Sequence, residues 1–380
     1  MKIFIIAGEA SGDQLGAAIL QSLKRMVPEV DIRGIGAEAI KNAGLRESLF
    51  PMEELSLMGV AEILPEIPHM LKRIRQTVDA IKVYNPDIVL SVDCPEFSLR
   101  VQEKLAETSC RAKRIHMVAP SVWAWRSGRA KRIAKFLDGI MCLFPFEPPY
   151  FEREGLQAVF IGHTMMGSGI LDANGANFRF RHMIGNDRKV VGLFFGSRNA
   201  EIERCSDIIL DAACELRKEN PDIYFIAPTI PRWKEFLEEK FKERFLNGMV
   251  LTDEKWDSFA SCDAAIVVSG TVALEIAVVG VPHVVTYKMN PVTWKVFRRF
   301  VKTPFGHLAN ILLGREAVPE FMQERATSKN IAPALSKLLS DTEERRLQCH
   351  DLKNVRSFLM ADNKNPADVA AGFLIDSISS

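Results

Sequence analysis

Short apolar runs alternate along this chain with longer stretches whose apolar residues return every three or four positions. The first pattern is that of a buried strand and the second that of a helix with one buried face. Runs at Lys2–Ala7, Ile88–Val92, Arg114–Val118, Gly139–Phe144 and Val159–Ile161 predict strands. Between the first two, Gln14–Met26 and a stretch near Met70–Lys82 predict helices. The pattern lapses over His163–Asp187, which is rich in Gly, Asn and Met and has no steady period. A second series follows, with strands predicted at Lys189–Phe195, Asp222–Ala227, Met249–Leu251, Ala264–Val268 and Pro282–Tyr287, and from about Asp341 the chain is polar and helical.

Strands separated by helices build parallel sheets through right-handed crossovers. The expectation is an α/β chain of two doubly wound, Rossmann-like domains facing across a cleft. The first spans residues 1–165, a linker covers 166–188, the second spans 189–350, and a helical segment, 351–380, packs back on the first. Folds of this kind hold ligands beyond the carboxyl ends of their strands. Residues that directly follow strands are therefore the first candidates for chemistry.

The bulk properties narrow the classes. At 380 residues the chain is too long for one ordinary core. A 47% hydrophobic and 26% charged composition is that of a globular protein, and a net charge of +1 gives no support to general nucleic-acid binding. Seven cysteines form no C-x-x-C pair, which fits a reducing cytosol and argues against a disulfide framework or a zinc knuckle. The apolar start, Met1–Ala7, is broken at once by Gly8, Glu9 and Asp13 and reads as a first core strand, not a signal peptide. No stretch approaches the roughly 18 apolar residues of a membrane span.

The segment that says most is A-A-I-V-V-S-G-T-V-A-L-E, residues 264–275. It reads as a strand, a tight turn at Ser269-Gly270-Thr271, and a helix start with Glu275 one turn inside. The first amides of such a helix lack intrahelical partners and lie at the positive end of its dipole, so they suit a phosphate. Glu275 is placed to accept hydrogen bonds from a ribose. A second strand–turn–helix junction, Gly196-Ser197-Arg198, puts a guanidinium where it can pair with a leaving diphosphate. At the first strand's end, Gly8 and Gly12 in G-E-A-S-G-D permit close backbone approach, but the spacing is not that of a dinucleotide fingerprint. Asp93, at the end of another strand and before Pro95, is placed as a general base, or as a residue that shapes the turn. The segment H-M-V-A-P-S-V-W-A-W-R, residues 116–126, sets two tryptophans beside a run of cations, for core packing or for an anionic group. No D-x-D pair and no metal-ligand spacing of histidines is present, so no metal or cofactor is expected.

These pieces together resemble a family. A-G-E-A-S-G-D (7–13), M-E-E-L-S-L-M-G (52–59), V-D-C-P-E-F (92–97), P-S-V-W-A-W-R (120–126), F-I-G-H-T-M (160–165), G-S-R-x-A-E (196–201), S-G-T-x-A-L-E (269–275) and N-I-L-L-G-R-E (310–316) are similar, in order, to motifs of lipid-A-disaccharide synthases. The resemblance implies an inverting glycosyltransferase of the two-Rossmann-domain, GT-B type. It implies transfer of 2,3-diacylglucosamine from UDP to 2,3-diacylglucosamine 1-phosphate, giving UDP and a β-1,6-linked disaccharide, at the cytoplasmic face of the inner membrane. In that frame Asp93 matches the base and Arg198 a catalytic cation. Gly196, Ser197, Arg198, Ser269, Gly270, Thr271, Glu275 and Asn310 fall on the UDP side. Gly8, Glu9, Ser11, Gly12, Asp13, His116 and Ser121 fall on the acceptor side. The chain departs from the family pattern at Phe195, at Leu308-Ala309 and at Cys94 and Glu96, none of which removes a proposed catalytic group.

Acylated substrates require an apolar surface beside the site. The stretch from Leu55 to Leu71, with Leu57, Met58, Ile63 and Leu64 as contacts, is the first candidate, with Lys72, Arg73 and Arg75 following to meet lipid phosphates. Trp294–Lys302 is a second; an ordinary buried helix or a homodimer interface would also explain either segment. Two other readings use the same folds: a UDP-N-acetylglucosamine 2-epimerase-like isomerase, and a non-catalytic, membrane-associated sugar-nucleotide binder.

Overall fold

The computed structural model describes the chain except for residues 57–62, 125–127, 362–363 and 380; for Ser56, residues 63–67, Val292, Val296, Phe297, Phe300 and Ser379 it describes the backbone alone. Two compact units result: Met1–Met166 with Leu359–Ser380, and Gly167–Phe358.

Each unit is built on one six-stranded sheet. The first contains β1 (Lys2–Ala7), β2 (Asp31–Ile35), β3 (Ile88–Val92), β4 (Lys113–Met117), β5 (Gly139–Cys142) and β6 (Gln157–Phe160), in the order β2-β1-β3-β4-β5-β6. The second contains β7 (Val190–Phe194), β8 (Tyr224–Pro228), β9 (Gly248–Leu251), β10 (Ala264–Val268), β11 (His283–Tyr287) and β12 (Glu320–Met322), in the order β12-β11-β10-β7-β8-β9. All ladders are parallel. Helices cover both faces, so the central strands are buried from end to end: every residue of Ile3–Ala7, Ile88–Val92 and Ala264–Val268 is in the core.

The helices that bear on function are α1 (Ala10–Met26), α2 (Glu38–Asn42), α3 (Ile63–Tyr84), α4 (Pro95–Ala106) and α5 (Gly128–Ile133) in the first unit. In the second they are α6 (Asn199–Glu219), α7 (Lys255–Ala260), α8 (Thr271–Val279) and α9 (Leu308–Leu313). A last helix, α10 (Pro366–Ser379), returns to the first unit, where it packs along α1 and joins it through the Arg25–Asp368 ion pair at 2.6 Å. The stretch between the two sheets carries a helix, Gly175–Arg181, which belongs with the second unit. The Arg179 guanidinium fastens it there, donating to the Ser261 carbonyl at 2.7 Å and to Asp263 at 2.8 Å.

Strand order reverses direction between β1 and β3 in the first sheet and between β7 and β10 in the second. At such a switch the flanking crossovers leave on opposite faces, and a crevice opens beyond the strand ends. The turns after β1, β3, β7 and β10 are the ones that carry the G-E-A-S-G-D, V-D-C-P, G-S-R and S-G-T motifs.

Candidate active site

In the first unit, Ala7 lies level with Val92, and Val92 with Met117, so β1, β3 and β4 end together. Asp93 and Cys94 follow with φ of 53° and 46°, two successive non-glycine residues in the left-handed region. Each such residue costs about 1–3 kcal/mol and persists only where its surroundings enforce it. Here the Asp93 N–H donates to the Met117 carbonyl at 3.0 Å, the Cys94 N–H donates to Asp93 Oδ1 at 2.8 Å, and Pro95 opens α4. Gly8 is fitted to this turn, for a Cβ there would lie 2.6 Å from Cys94 Cβ. Burial raises the Asp93 carboxyl above the usual aspartate range, opposed in part by the Cys94 N–H. Burial and the charge of Glu9 together push the Cys94 thiol up to about 11, which puts the Glu9 loop and the Asp93 turn in one locality. Glu9 and Ser11 are exposed, and Gly12 rests against the Val92 carbonyl.

Not every residue expected on the acceptor side is available to a ligand. Asp13 is buried, and its carboxylate accepts from the amides of Ala37, Ala39 and Ile40 at 2.7, 2.9 and 3.3 Å. It caps α2 and has no oxygen to spare. His116 is buried under the sheet end, with Nδ1 2.8 Å from Ser91 Oγ; burial, then the charge of Arg129, lowers its pKa to about 3, so the ring is neutral. Ser121 is exposed in the following loop. Of the two tryptophans, Trp123 stacks edge-on against Phe146 and donates its indole N–H to Glu147 at 3.0 Å, which is core packing. Trp125 and Arg126 lie outside the described residues, as do Leu57 and Met58; Ile63 and Leu64 begin α3, and their side chains are likewise outside.

In the second unit the turns after β7 and β10 line a single cavity of about 400 Å³. Gly196, Ser197, Arg198, Ser269, Gly270, Thr271 and Glu275 all face it. Gly270 has φ 156° and ψ −161°, a conformation closed to side-chain-bearing residues, and it delivers the chain into α8. The opposite turn is held by Glu201, whose Oε2 accepts from the amides of Ser197 and Arg198 at 3.0 and 3.1 Å and whose Oε1 takes the Arg198 guanidinium at 2.9 Å. Arg198 is thus the N-cap of α6, with the macrodipole's repulsion offset by a carboxylate, and its side chain is 79% exposed. Glu275 pairs with Lys255 Nζ at 2.8 Å; burial raises its pKa, against the pull of the lysine. Among the cavity residues that the sequence pattern does not single out are Lys255, Glu201 and Thr229, whose hydroxyl is buried with no hydrogen-bond partner. The closing A-E of the G-S-R-x-A-E motif is the available signal for Glu201; nothing in the sequence marks Lys255 or Thr229.

Asn310 is not among the cavity's walls. It is wholly buried in α9, where its amide donates to the Val318 carbonyl and to Glu320 at 2.8 Å each, and its oxygen accepts from Ala317 and Val318 N–H at 2.9 Å. Its reach toward the site is indirect. Glu320 also accepts from the amides of Gly306 and His307, and the Gly306 carbonyl accepts from Ser269 Oγ at 3.0 Å. Beneath this loop, burial keeps His283 and His307 neutral, 3.0 Å apart. Since His283 Nδ1 faces the Val281 carbonyl at 2.8 Å it carries the proton there, and His307 Nε2–H donates across the pair.

Among the described residues, no cluster of three His, Cys, Asp or Glu side chains is arranged to hold a metal, and no helix is long and apolar enough to cross a membrane.

Residues 3–371 match the family model described as lipid-A-disaccharide synthetase. A lipid-A-disaccharide synthase of Rhodospirillum centenum is 39% identical over 382 aligned positions, which cover 100% of this chain and 95% of that protein. One from Pseudomonas aeruginosa is 36% identical, with 90% of each chain covered. Among solved structures, a UDP-GlcNAc 2-epimerase of Neisseria meningitidis, bound to UDP-GlcNAc, superposes with a TM-score of 0.61 at 13% identity over 100% of both chains. Acinetobacter baumannii MurG gives 0.55 at 13% over 94% of each. At these identities the structural likeness establishes the two-domain α/β fold.

Proposed function

We propose a reaction course from one premise: the chain belongs to the lipid-A-disaccharide synthase family, and it is a glycosyltransferase. The donor is a UDP-linked 2,3-diacylglucosamine and the acceptor 2,3-diacylglucosamine 1-phosphate. Asp93 takes the proton of the acceptor 6-hydroxyl as that oxygen attacks the donor's anomeric carbon. The bond from that carbon to the diphosphate breaks, the electron pair leaves with UDP, and the configuration inverts to a β-1,6 link. Negative charge develops on the departing diphosphate. The unpaired amides at the start of α8, the Arg198 guanidinium and Lys255 are the groups that meet it, while the Ser197 and Arg198 amides stay on Glu201 and hold the turn. Thr229 and Glu275 supply hydrogen-bonding capacity for the nucleoside. Lipid substrates draw the enzyme to the cytoplasmic surface of the inner membrane as a peripheral protein.

The observation that carries this reading is the family match across residues 3–371; the cavity shared by the G-S-R and S-G-T turns supports it. The test is to mix the purified protein with the two acylated sugars, together and singly, and follow UDP. Release with both and with neither alone is expected. Conversion of UDP-N-acetylglucosamine with no acceptor present would instead establish an isomerase.

A further inference from the structure

A groove of about 680 Å³ in the first unit takes no part in the chemistry above. It runs among α3, α4 and α5, and its volume falls within the roughly 300–1,000 Å³ of small-molecule sites. The floor is apolar, formed by Ile74, Leu99, Ile133 and Phe136, with Leu71 at the lip, 42% exposed. The walls are basic: Arg100, Lys104, Arg129 and Arg132 stand against Glu96 and Glu103, four cations to two carboxylates. Pro95 and Glu96 line one end, two and three residues beyond Asp93.

We propose that this groove binds the lipid acceptor, with an acyl chain along the floor and the phosphate between Arg100 and Arg129; the inference rests on the acceptor named above. An apolar floor is of no use to a free phosphate or a bare sugar, and basic walls are of no use to an uncharged hydrocarbon. An amphiphile with an anionic head uses both. Lys104 pairs with Glu107 at 3.1 Å and Arg132 with Glu103, which leaves Arg100 and Arg129 on one shared carboxylate. Once Glu96 yields, these two guanidiniums match a phosphate monoester, which carries about −1.5 to −2 near neutral pH. The ion pairs differ in a way that locates the head. Arg132 holds Glu103 through two bonds, the shorter 2.7 Å. Glu96, whose side chain is 68% exposed, is shared loosely by Arg129 at 3.4 Å and Arg100 at 3.7 Å. That weak end, the one beside the Asp93 turn, is where an incoming phosphate displaces a carboxylate most readily.

Two substitutions leave the fold intact and obstruct the groove. Leu71→Glu sets a charge at an exposed lip, and Gly128→Phe grows a ring from a position where a Cβ meets nothing within 4 Å. Each is expected to lower by about tenfold or more the ratio of kcat/KM for a myristoylated acceptor to that for a butyrylated one, the loss of roughly two buried methylenes. A second measurement needs no turnover: a glucosamine 1-phosphate whose myristoyl chain ends in a diazirine, irradiated on the unaltered protein, should label peptides of α4 and α5. Should the protein turn over no acylated pair, the proposed reaction fails while the labelling still decides the groove. An unchanged chain-length ratio in both variants, or labelling confined to other peptides, overturns the assignment. So does an unchanged ratio with lost binding to phosphatidylglycerol vesicles, which would make a membrane lipid the occupant.

Discussion

Asp93 combines a strained backbone, partial burial and a single amide partner, and each bears on its use as a base. A carboxyl raised by burial is a stronger base when ionised than an exposed aspartate. The sign of the pH effect follows: as pH falls through the raised pKa the carboxylate takes up a proton and the base is lost. The acid limb of kcat/KM should therefore lie above the usual aspartate value of about 3.9. Asp93→Asn should remove that limb and lower kcat by about 10²–10⁴-fold while the donor still binds. A pH–rate profile of both proteins checks this, and a variant that keeps its kcat would assign Asp93 to shaping the turn alone. Gly270 makes a sharper case, since a Cβ there strikes nothing within 4 Å. The cost of Gly270→Ala is then backbone strain alone, about 1–3 kcal/mol. It should appear as an earlier urea midpoint together with weaker UDP binding, whereas a shift in neither would mean that the turn relaxes freely. At this scale the sequence reveals which residues sit at a turn but not where each side chain is spent. Asp13 stands in the first-loop motif, yet its carboxylate is consumed by amides 24 to 27 positions away.

Elements were legible in proportion to their burial. The central strands β1, β3 and β10 are enclosed on both faces and so are written as near-continuous apolar runs, broken only by Lys2 at the start of β1 and Ser91 in β3, and the sequence pattern locates them to the residue. The edge strands β2 and β12 escaped it. β2 reads Asp-Ile-Arg-Gly-Ile, half polar, and β12 is only three residues long. The turn that follows β5 hides a different kind of determinant. Glu147 is 2% exposed and accepts from the amides of Leu143 and Phe144 and from the Trp123 indole, so one carboxylate ties that turn to the P-S-V-W loop. Burial outweighs those bonds and pushes its pKa from 4.5 to about 7. The folded protein then holds a proton that the unfolded chain has released, and stability must fall as pH rises across that window. The stability is present below about 4.5 and lost as pH passes about 7, a swing of about 3 kcal/mol from a shift of this size. Glu147→Gln should flatten the contribution. Urea midpoints of the two proteins should diverge between these pH values, and parallel curves would show that Glu147 stays ionised throughout.

The first unit is assembled from two ends of the chain, which no periodicity can announce. α10 reads as an ordinary helix, but its partners lie in α1 and beside β5: Asp368 meets Arg25 across 343 positions, and the Phe373 ring sits where a Cβ on Gly139 would come within 2.9 Å. Ala370, Ala371 and Leu374 are fully buried in the core that also holds Ile3, Ile5 and Leu20. Leu374→Ala leaves a cavity in that core and should cost about 2–5 kcal/mol. The second unit has its own core, around Val191, Ile266 and Leu335, and shares none of these residues. The loss should therefore be confined. Native-state hydrogen exchange is the measurement that sees this, because it reports opening region by region. In Leu374→Ala the amides of Ile3–Ile6 should lose protection while those of Val191 and Ile266 keep theirs, and Leu335→Ala should produce the reverse. An equal loss in both sheets from either substitution would mean that the two cores open as one cooperative body.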